Sequence, residues 1–160
     1  MEIQLSVLDD RSRADVLTID RSDVSEDWVD SIPHILELTQ YGLDHGCIGH
    51  TFAIYAEHAC VGIILMGEGL PWACDPAELA GVPFYRIMGF MLDRKWRSRG
   101  IGGQALEMVI DRIYAEFGPR PILLGVQVDN TRAARFYERH GFTATSAMDE
   151  DDRFYIRYPQ

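Results

Sequence analysis

The residues best suited to chemistry lie between Phe90 and Gly103, reading Phe90-Met91-Leu92-Asp93-Arg94-Lys95-Trp96-Arg97-Ser98-Arg99-Gly100-Ile101-Gly102-Gly103. An apolar strand runs out, a turn rich in arginine and glycine follows, and a helix opens at once at Gly100. The first amides of a helix have no internal partners and carry partial positive charge, so they can clasp a pyrophosphate. Glycine lets the backbone approach a ligand with no Cβ in the way. Arg97 and Arg99 add planar cationic donors suited to phosphate. The spacing is neither a nucleotide P-loop nor a dinucleotide fingerprint, because Gly100-Ile101-Gly102 lacks the third glycine.

A second cluster, His45, Cys47 and His50, has residue types that bind metals. Zinc sites need four ligands at recognisable spacings, and no partner pair follows downstream, so the segment reads as a loop entering a strand and no metal is expected. The three cysteines, Cys47, Cys60 and Cys74, are odd in number, and two lie in or beside apolar runs. That usage suits reduced thiols in a reducing, cytoplasmic compartment.

Two motifs carry a resemblance. Arg97-Ser98-Arg99-Gly100-Ile101-Gly102 resembles the acyl-CoA pyrophosphate loop of the GNAT acetyltransferase superfamily: Arg or Gln, two residues, Gly, one residue, then Gly or Ala. Downstream, Asn130, Ala133, Tyr137, Gly141 and Phe142 are similar to that family's Asn-x-x-Ala-x-x-x-Tyr-x-x-x-Gly-Phe. The likeness covers residues 48–158 well, and the first 47 only by the order of elements. It implies an enzyme, an N-acetyltransferase that uses acetyl-CoA as cosubstrate. Backbone groups of Phe90, Met91 and Leu92 would pair with the pantetheine amides and the thioester. Amides from Arg97, Ser98, Arg99, Gly100, Ile101, Gly102 and Gly103 would hold the pyrophosphate, Asn130 would contact the pantetheine arm, and Ala133 would leave it room. Tyr137 would protonate the departing thiolate as general acid.

Many family members carry a catalytic glutamate on the strand before the loop, and here that strand, Phe84 to Asp93, has none. Glu68 and Asp93 each remain as a base or the start of a water relay, and deprotonation through ordered water and backbone carbonyls is the alternative. Within the superfamily, Gly89 to Asp93 followed by Trp96 looks like the spermine/spermidine branch, although that branch carries arginine where Gly89 stands. The expected acceptor is a primary amine, such as a polyamine or another cationic small molecule. An amino sugar or antibiotic, a protein N-terminus, and a non-catalytic CoA-binding regulatory module are the alternatives. Related domains often pair as dimers, so a homodimer is also in view.

The charge distribution suggests an anionic ligand on a basic half and a cationic one facing an acidic half, while on charge alone surface solubility or a salt-adapted surface is the favoured reading. The net charge is −10, with 25 acidic and 15 basic residues, but residues 81–140 are net basic and no Lys or Arg occurs between residues 22 and 85. Overall acidity argues against nucleic acid as a partner. The longest apolar run, near Cys60 to Gly67, is too short for the ~20 residues that cross a bilayer, and the N-terminus lacks the pattern of a signal peptide.

The elements needed to position these residues are legible in the hydrophobic periodicity. Ile3–Leu8 alternates as a strand, and Asp9 or Asp10 caps a helix to about Ile19. Ser25, with Glu26 and Asp27 in the first turn, opens a second helical region that continues past Pro33 to Gly42 or Gly46. Strands follow over 48–56 and 60–66, then a loop over 67–83 and a strand over 84–93. A helix runs from Gly100 to Phe117, with Leu106, Val109, Ile110 and Ile113 at helical spacing. The run 121–128 is nearly continuously apolar, as expected of a central strand covered on both faces. Asp129 or Asn130 then caps a last helix, and two strands flank an acidic turn at Asp149–Asp152. The expectation is one domain over 1–160, an α+β (mixed α/β) GNAT-like fold. About seven strands would form a single mixed sheet with helices on both faces.

Overall fold

The computed structural model describes residues 1–25 and 28–160. Its elements, in chain order, are β1 (Ile3–Val7), α1 (Asp10–Val16), α2 (Ile32–Asp44), β2 (Gly49–Ala56), β3 (Ala59–Glu68), β4 (Tyr85–Leu92), α3 (Ile101–Phe117), β5 (Ile122–Gln127), α4 (Thr131–Arg139), β6 (Thr143–Asp149) and β7 (Asp152–Arg157). The sheet has seven strands in the order β1-β2-β3-β4-β5-β7-β6. Every neighbouring pair is antiparallel except β4 and β5, which run parallel.

Local chemistry sets the ends. Asp9 caps α1 by accepting from the Ser12 amide at 2.8 Å, and Ser12 returns a bond to the Asp9 amide, a reciprocal cap that fixes the first turn. This helix stops at Val16, short of Ile19. Ser31 caps α2, with Pro33 in its first turn, where a missing N–H costs nothing. The helical start at Ser25 is therefore replaced by a start at Ile32; Glu26 and Asp27 lie outside the described residues. Two short 3-10 turns, Ala77–Leu79 and Arg94–Trp96, interrupt segments the sequence suggested were irregular.

The sheet is covered on both faces. On one, α3 contributes Leu106, Val109, Ile110 and Ile113 to a core shared with Phe52, Ile64 and Ile122, and α4 packs Phe136 and Tyr137 against it. On the other, Val16, Ile32, Ile35 and Leu36 of α1 and α2 meet Ala53, Ile63 and Met91. Burying each such aliphatic side chain stabilises the fold by roughly 1.5–3 kcal/mol before entropy is counted.

One irregularity positions the site. Leu65 pairs with Gly89 but Met66 pairs with Ile87, so Met88 is an extra residue in β4. A bulge of this kind bends its strand and inverts the alternation beyond it. Tyr85 and Ile87 face the α3 core before the bulge, and Phe90 and Leu92 face it afterwards. Gly89 falls on the α2 face, where an added Cβ would stand 2.6 Å from Ile35 Cδ1 and 2.7 Å from its Cγ1. No side chain fits there, which accounts for the glycine where the polyamine branch carries arginine.

Candidate active site at the split between two strands

β4 and β5 pair only through Tyr85 with Ile122 and Arg86 with Leu123, then part. From Gly125 onward β5 pairs with β7 alone, so the facing edges of the two strands line a gap. A cavity of about 250 Å³ runs along it. On the α4 side it is lined by Phe90, Asn130, Ala133 and Tyr137; on the opposite side by Trp28, Asp30, Trp72, Arg86, Asp149 and Asp152.

The loop after β4 leads straight into α3. Among the four helices, α1, α2 and α4 each receive a side-chain cap, whereas the N-cap of α3, Gly100, provides none. The Gln104 amide returns to the Gly100 carbonyl, and the amides of the first turn are left for a ligand. Gly100 takes φ +78° and Ser98 φ +62°. Alternating left-handed residues of this kind turn successive N–H groups into one anion-binding concavity. Only glycine holds such a φ without a Cβ penalty.

The arginines around this loop divide their work. Arg97 pairs with Asp23, and its Nη2 donates to the Leu92 carbonyl at 2.8 Å. It ties the loop to the end of β4 and to the N-terminal segment. The Arg99 guanidinium stands 5.1 Å from the Trp96 ring centre. Arg132, on the first turn of α4, donates to Ser98 Oγ at 2.7 Å, and so brings a further cation to the loop. Nothing in the local sequence marks Arg132, because its partner lies 34 residues away.

Tyr137 reaches the cavity from α4. Its ring sits edge-on between Phe136, at 5.2 Å, and Phe142, at 5.5 Å, and its hydroxyl has no hydrogen-bond partner among the described residues. Burial pushes the phenol above its ordinary value, so it stays protonated and able to donate at every physiological pH. Asn130 spends its side-chain oxygen capping α4, accepting from the Ala133 amide at 3.3 Å, and leaves its amide donors to the cavity it lines. Phe90 lines the same cavity, while Met91 is buried under α2.

Glu68 and Asp93 stand at opposite ends of the β3–β4 ladder, and neither lines the cavity. Glu68 Oε1 accepts from the Ile48 amide at 3.3 Å. Asp93 accepts from the amides of Asp20 and Lys95, both at 2.9 Å, holding the N-terminal segment against the loop. Among the described residues, the carboxylates on the cavity are Asp30, Asp149 and Asp152. Asp152 is held above the usual carboxylate range by burial and then by the negative charge of Asp149, Asp151, Asp30 and Glu150. In the sequence, Asp149–Asp152 has the look of a solvated turn. Its place on the cavity follows from β7 pairing with β5.

His45, Cys47 and His50 do not converge. His50 Nε2 bonds Glu116 at 2.8 Å and His45 Nδ1 bonds the Tyr41 carbonyl at 2.8 Å. Among the described residues no group of three or more His, Cys, Asp or Glu side chains could hold a metal ion. The three cysteines are unpaired, and no described helix is long and apolar enough to cross a membrane.

The arrangement defines a class before it defines a family. A gap between two parallel strands offers backbone groups to an extended arm bearing amides, and an uncapped helix N-terminus beside it offers amides to a diphosphate. Those are the two recognisable parts of coenzyme A, and the open first turn of α3 fits them. The family model described as the acetyltransferase (GNAT) family matches residues 14–142, and the chain belongs to that family. Its chemistry is acetyl transfer to nitrogen from acetyl-CoA.

Solved structures share the fold. An N-acetyltransferase from Staphylococcus aureus Mu50 aligns with a TM-score of 0.67 at 15% identity, over 98% of each chain. The PaiA N-acetyltransferase from Thermoplasma acidophilum, in complex with coenzyme A, aligns at 0.70 with 14% identity, over 99% of this chain and 100% of that one. Arabidopsis thaliana Naa50, in complex with the bisubstrate analogue CoA-Ac-MVNAL, aligns at 0.61 with 18% identity, over 98% and 97%. No protein of curated function matches the chain in a sequence comparison.

Proposed function

We propose that this N-acetyltransferase acetylates a primary amine that arrives as a cation, a polyamine or another small cationic amine. The observation carrying this reading is the acceptor side of the cavity, where Asp30, Asp149 and Asp152 stand together and Arg86, the one cation among the described lining residues, is already paired with Asp75. Carboxylates clustered on a cleft concentrate a cationic ligand and raise its on-rate.

The roles follow from position. Amides of the turn from Arg97 to Gly103 hold the pyrophosphate, with Arg132 beside them. Asn130 and the free edge of β4 at Phe90 to Leu92 hold the pantetheine arm, and Ala133 leaves it space. Tyr137 gives its proton to the thiolate as the tetrahedral intermediate collapses. The ammonium loses its proton through water to Asp152, whose raised proton affinity suits a base better than an ordinary surface carboxylate. Glu68 and Asp93, engaged with backbone amides away from the cavity, serve as structural anchors in this scheme.

The test is thiol release from acetyl-CoA with spermidine and with a neutral amine of similar size, at low and high salt. Spermidine should give the higher kcat/KM, and its advantage should shrink as ionic strength rises. Equal rates without salt dependence would reduce the acidity to surface solubility.

A further inference from the structure

The acceptor side of the cavity holds one group that an amine alone leaves unused. Arg86 is only 3% exposed, lines the cavity, and is the first Lys or Arg after Arg21. Its Nη2 is fully engaged, donating to both oxygens of Asp75 at 2.8 and 3.0 Å and to the Leu70 carbonyl at 3.0 Å. Its Nη1 is buried with no hydrogen-bond partner among the described residues. A buried donor without an acceptor costs about 1–3 kcal/mol, so a folded protein that keeps one has a use for it or a partner still to come.

The surroundings say what that partner is. Trp72 lies over the guanidinium, with 3.6 Å between the guanidinium carbon and the ring centre. Trp72 is 43% exposed, belongs to the loop between β3 and β4, and lines the same cavity as Arg86. Asp75 already neutralises the charge of Arg86, and three further carboxylates line the same cavity. A second carboxylate on the ligand would meet net negative potential there. A neutral carbonyl oxygen would satisfy Nη1 with no such penalty.

We propose that Arg86 is a specificity-determining residue, and that the preferred acceptor carries a carbonyl oxygen a few atoms from its amine. The ammonium faces Asp30, Asp149 and Asp152, and the carbonyl accepts from Arg86 Nη1. This assignment rests on the acidic cavity being the acceptor site. It narrows the cationic amine to an aminoacyl amide, whether a free small molecule or the first residue of a peptide. It ranks polyamines, which have no carbonyl, below such amides.

Thiol release from acetyl-CoA with alaninamide, alanine, isopropylamine and spermidine tests it in the wild type and in Arg86→Lys. Lysine keeps a charge for Asp75 while removing the second nitrogen of the fork, and circular dichroism with a thermal melt checks that the variant folds. Alaninamide should exceed isopropylamine by at least about tenfold in kcat/KM, the value of one buried hydrogen bond. It should exceed alanine too, and in Arg86→Lys the ratio of alaninamide to isopropylamine should fall toward one. A short peptide matching alaninamide places the natural source on a chain end; a peptide excluded by the cavity places it among small molecules, and both agree with the assignment. Equal turnover of alaninamide and isopropylamine overturns the role of Arg86 alone, as does an Arg86→Lys protein that keeps the preference. Alanine above alaninamide overturns the choice of a neutral oxygen. No thiol release with any amine, in protein that binds acetyl-CoA, overturns the transferase reading and this assignment with it.

Discussion

Gly89 offers a direct test of how tightly the acceptor side is built. A methyl at that position would sit 2.6 Å from Ile35 Cδ1 and 2.7 Å from Cγ1, distances that cannot persist between unbonded carbons. Rotation about χ2 alone moves Cδ1 but leaves Cγ1, and χ1 of a β-branched residue in a helix is nearly fixed. Ile35 is fully buried, so α2 itself must shift. Overpacking of this kind costs about 1–3 kcal/mol, which in a domain of this size lowers Tm by roughly 2–12 °C. Gly89→Ala should therefore melt early in a calorimetric scan. Ile35→Ala alone should also be destabilising, by about 2–5 kcal/mol through the cavity it leaves. Combined, the two should lose less than their sum by about 0.5–3 kcal/mol, because the new methyl occupies the space that Ile35 vacates. A Gly89→Ala protein with an unchanged Tm, or strict additivity in the double variant, would refute the close approach of α2 to the bulge.

Tyr137→Phe should lower kcat by about 10²–10⁴-fold with little change in acetyl-CoA affinity, since the lost bond strengthens only in the transition state; wild-type turnover would leave Tyr137 a packing residue. Gly102→Glu should abolish CoA binding in calorimetry while the protein stays folded, because the one tight contact of an added Cβ, 3.3 Å to Leu92 Cδ1, is with the end of a flexible side chain, and the new carboxylate repels the pyrophosphate. Glu107 bonds Arg157 at 2.9 Å and His140 at 3.1 Å; burial raises its proton affinity, but these partners outweigh it and leave the carboxyl below its ordinary value. A depressed carboxyl supplies stability above its unfolded pKa of about 4.3 that is lost as pH falls through the folded value. Between about pH 6 and pH 3 the Tm of Glu107→Gln should therefore fall less than that of the wild type.

The order of all eleven helices and strands was legible in the sequence, because period-two and period-3.6 patterns and the capping residues Asp9 and Asn130 are local signals. The strand, glycine turn and helix proposed to hold the pyrophosphate were legible for the same reason: they are consecutive. What escaped was long-range. Asp152 lines the cavity because β7 pairs with β5, and Arg132 meets Ser98 because α4 starts beside α3. No pattern in one segment carries either fact. The bulge at Met88 did leave a trace. Tyr85 and Ile87 are odd-numbered core residues, Phe90 and Leu92 even-numbered ones, and a break in parity inside one apolar run is what an extra residue produces. The base candidates Glu68 and Asp93 came from the ends of strands, where the sequence could not show that backbone amides already occupy them.

The split sheet also bears on why acid and base should be different residues. Where β4 and β5 part, each presents polar backbone groups toward a cavity rather than toward a neighbouring strand, and such groups are costly unless something bonds them. On the proposed function an extended arm bearing amides meets that need within the gap, with α4 on one side and the β6–β7 turn on the other. On the proposed function the acetyl carbon then sits at the level of the sheet. The leaving sulfur faces Tyr137 and the incoming nitrogen faces Asp152. The proton removed from nitrogen and the proton delivered to sulfur are therefore handled on opposite faces, and one side chain cannot reach both. A phenol that burial keeps protonated and a carboxylate that its neighbours make more basic are the pair such a geometry requires.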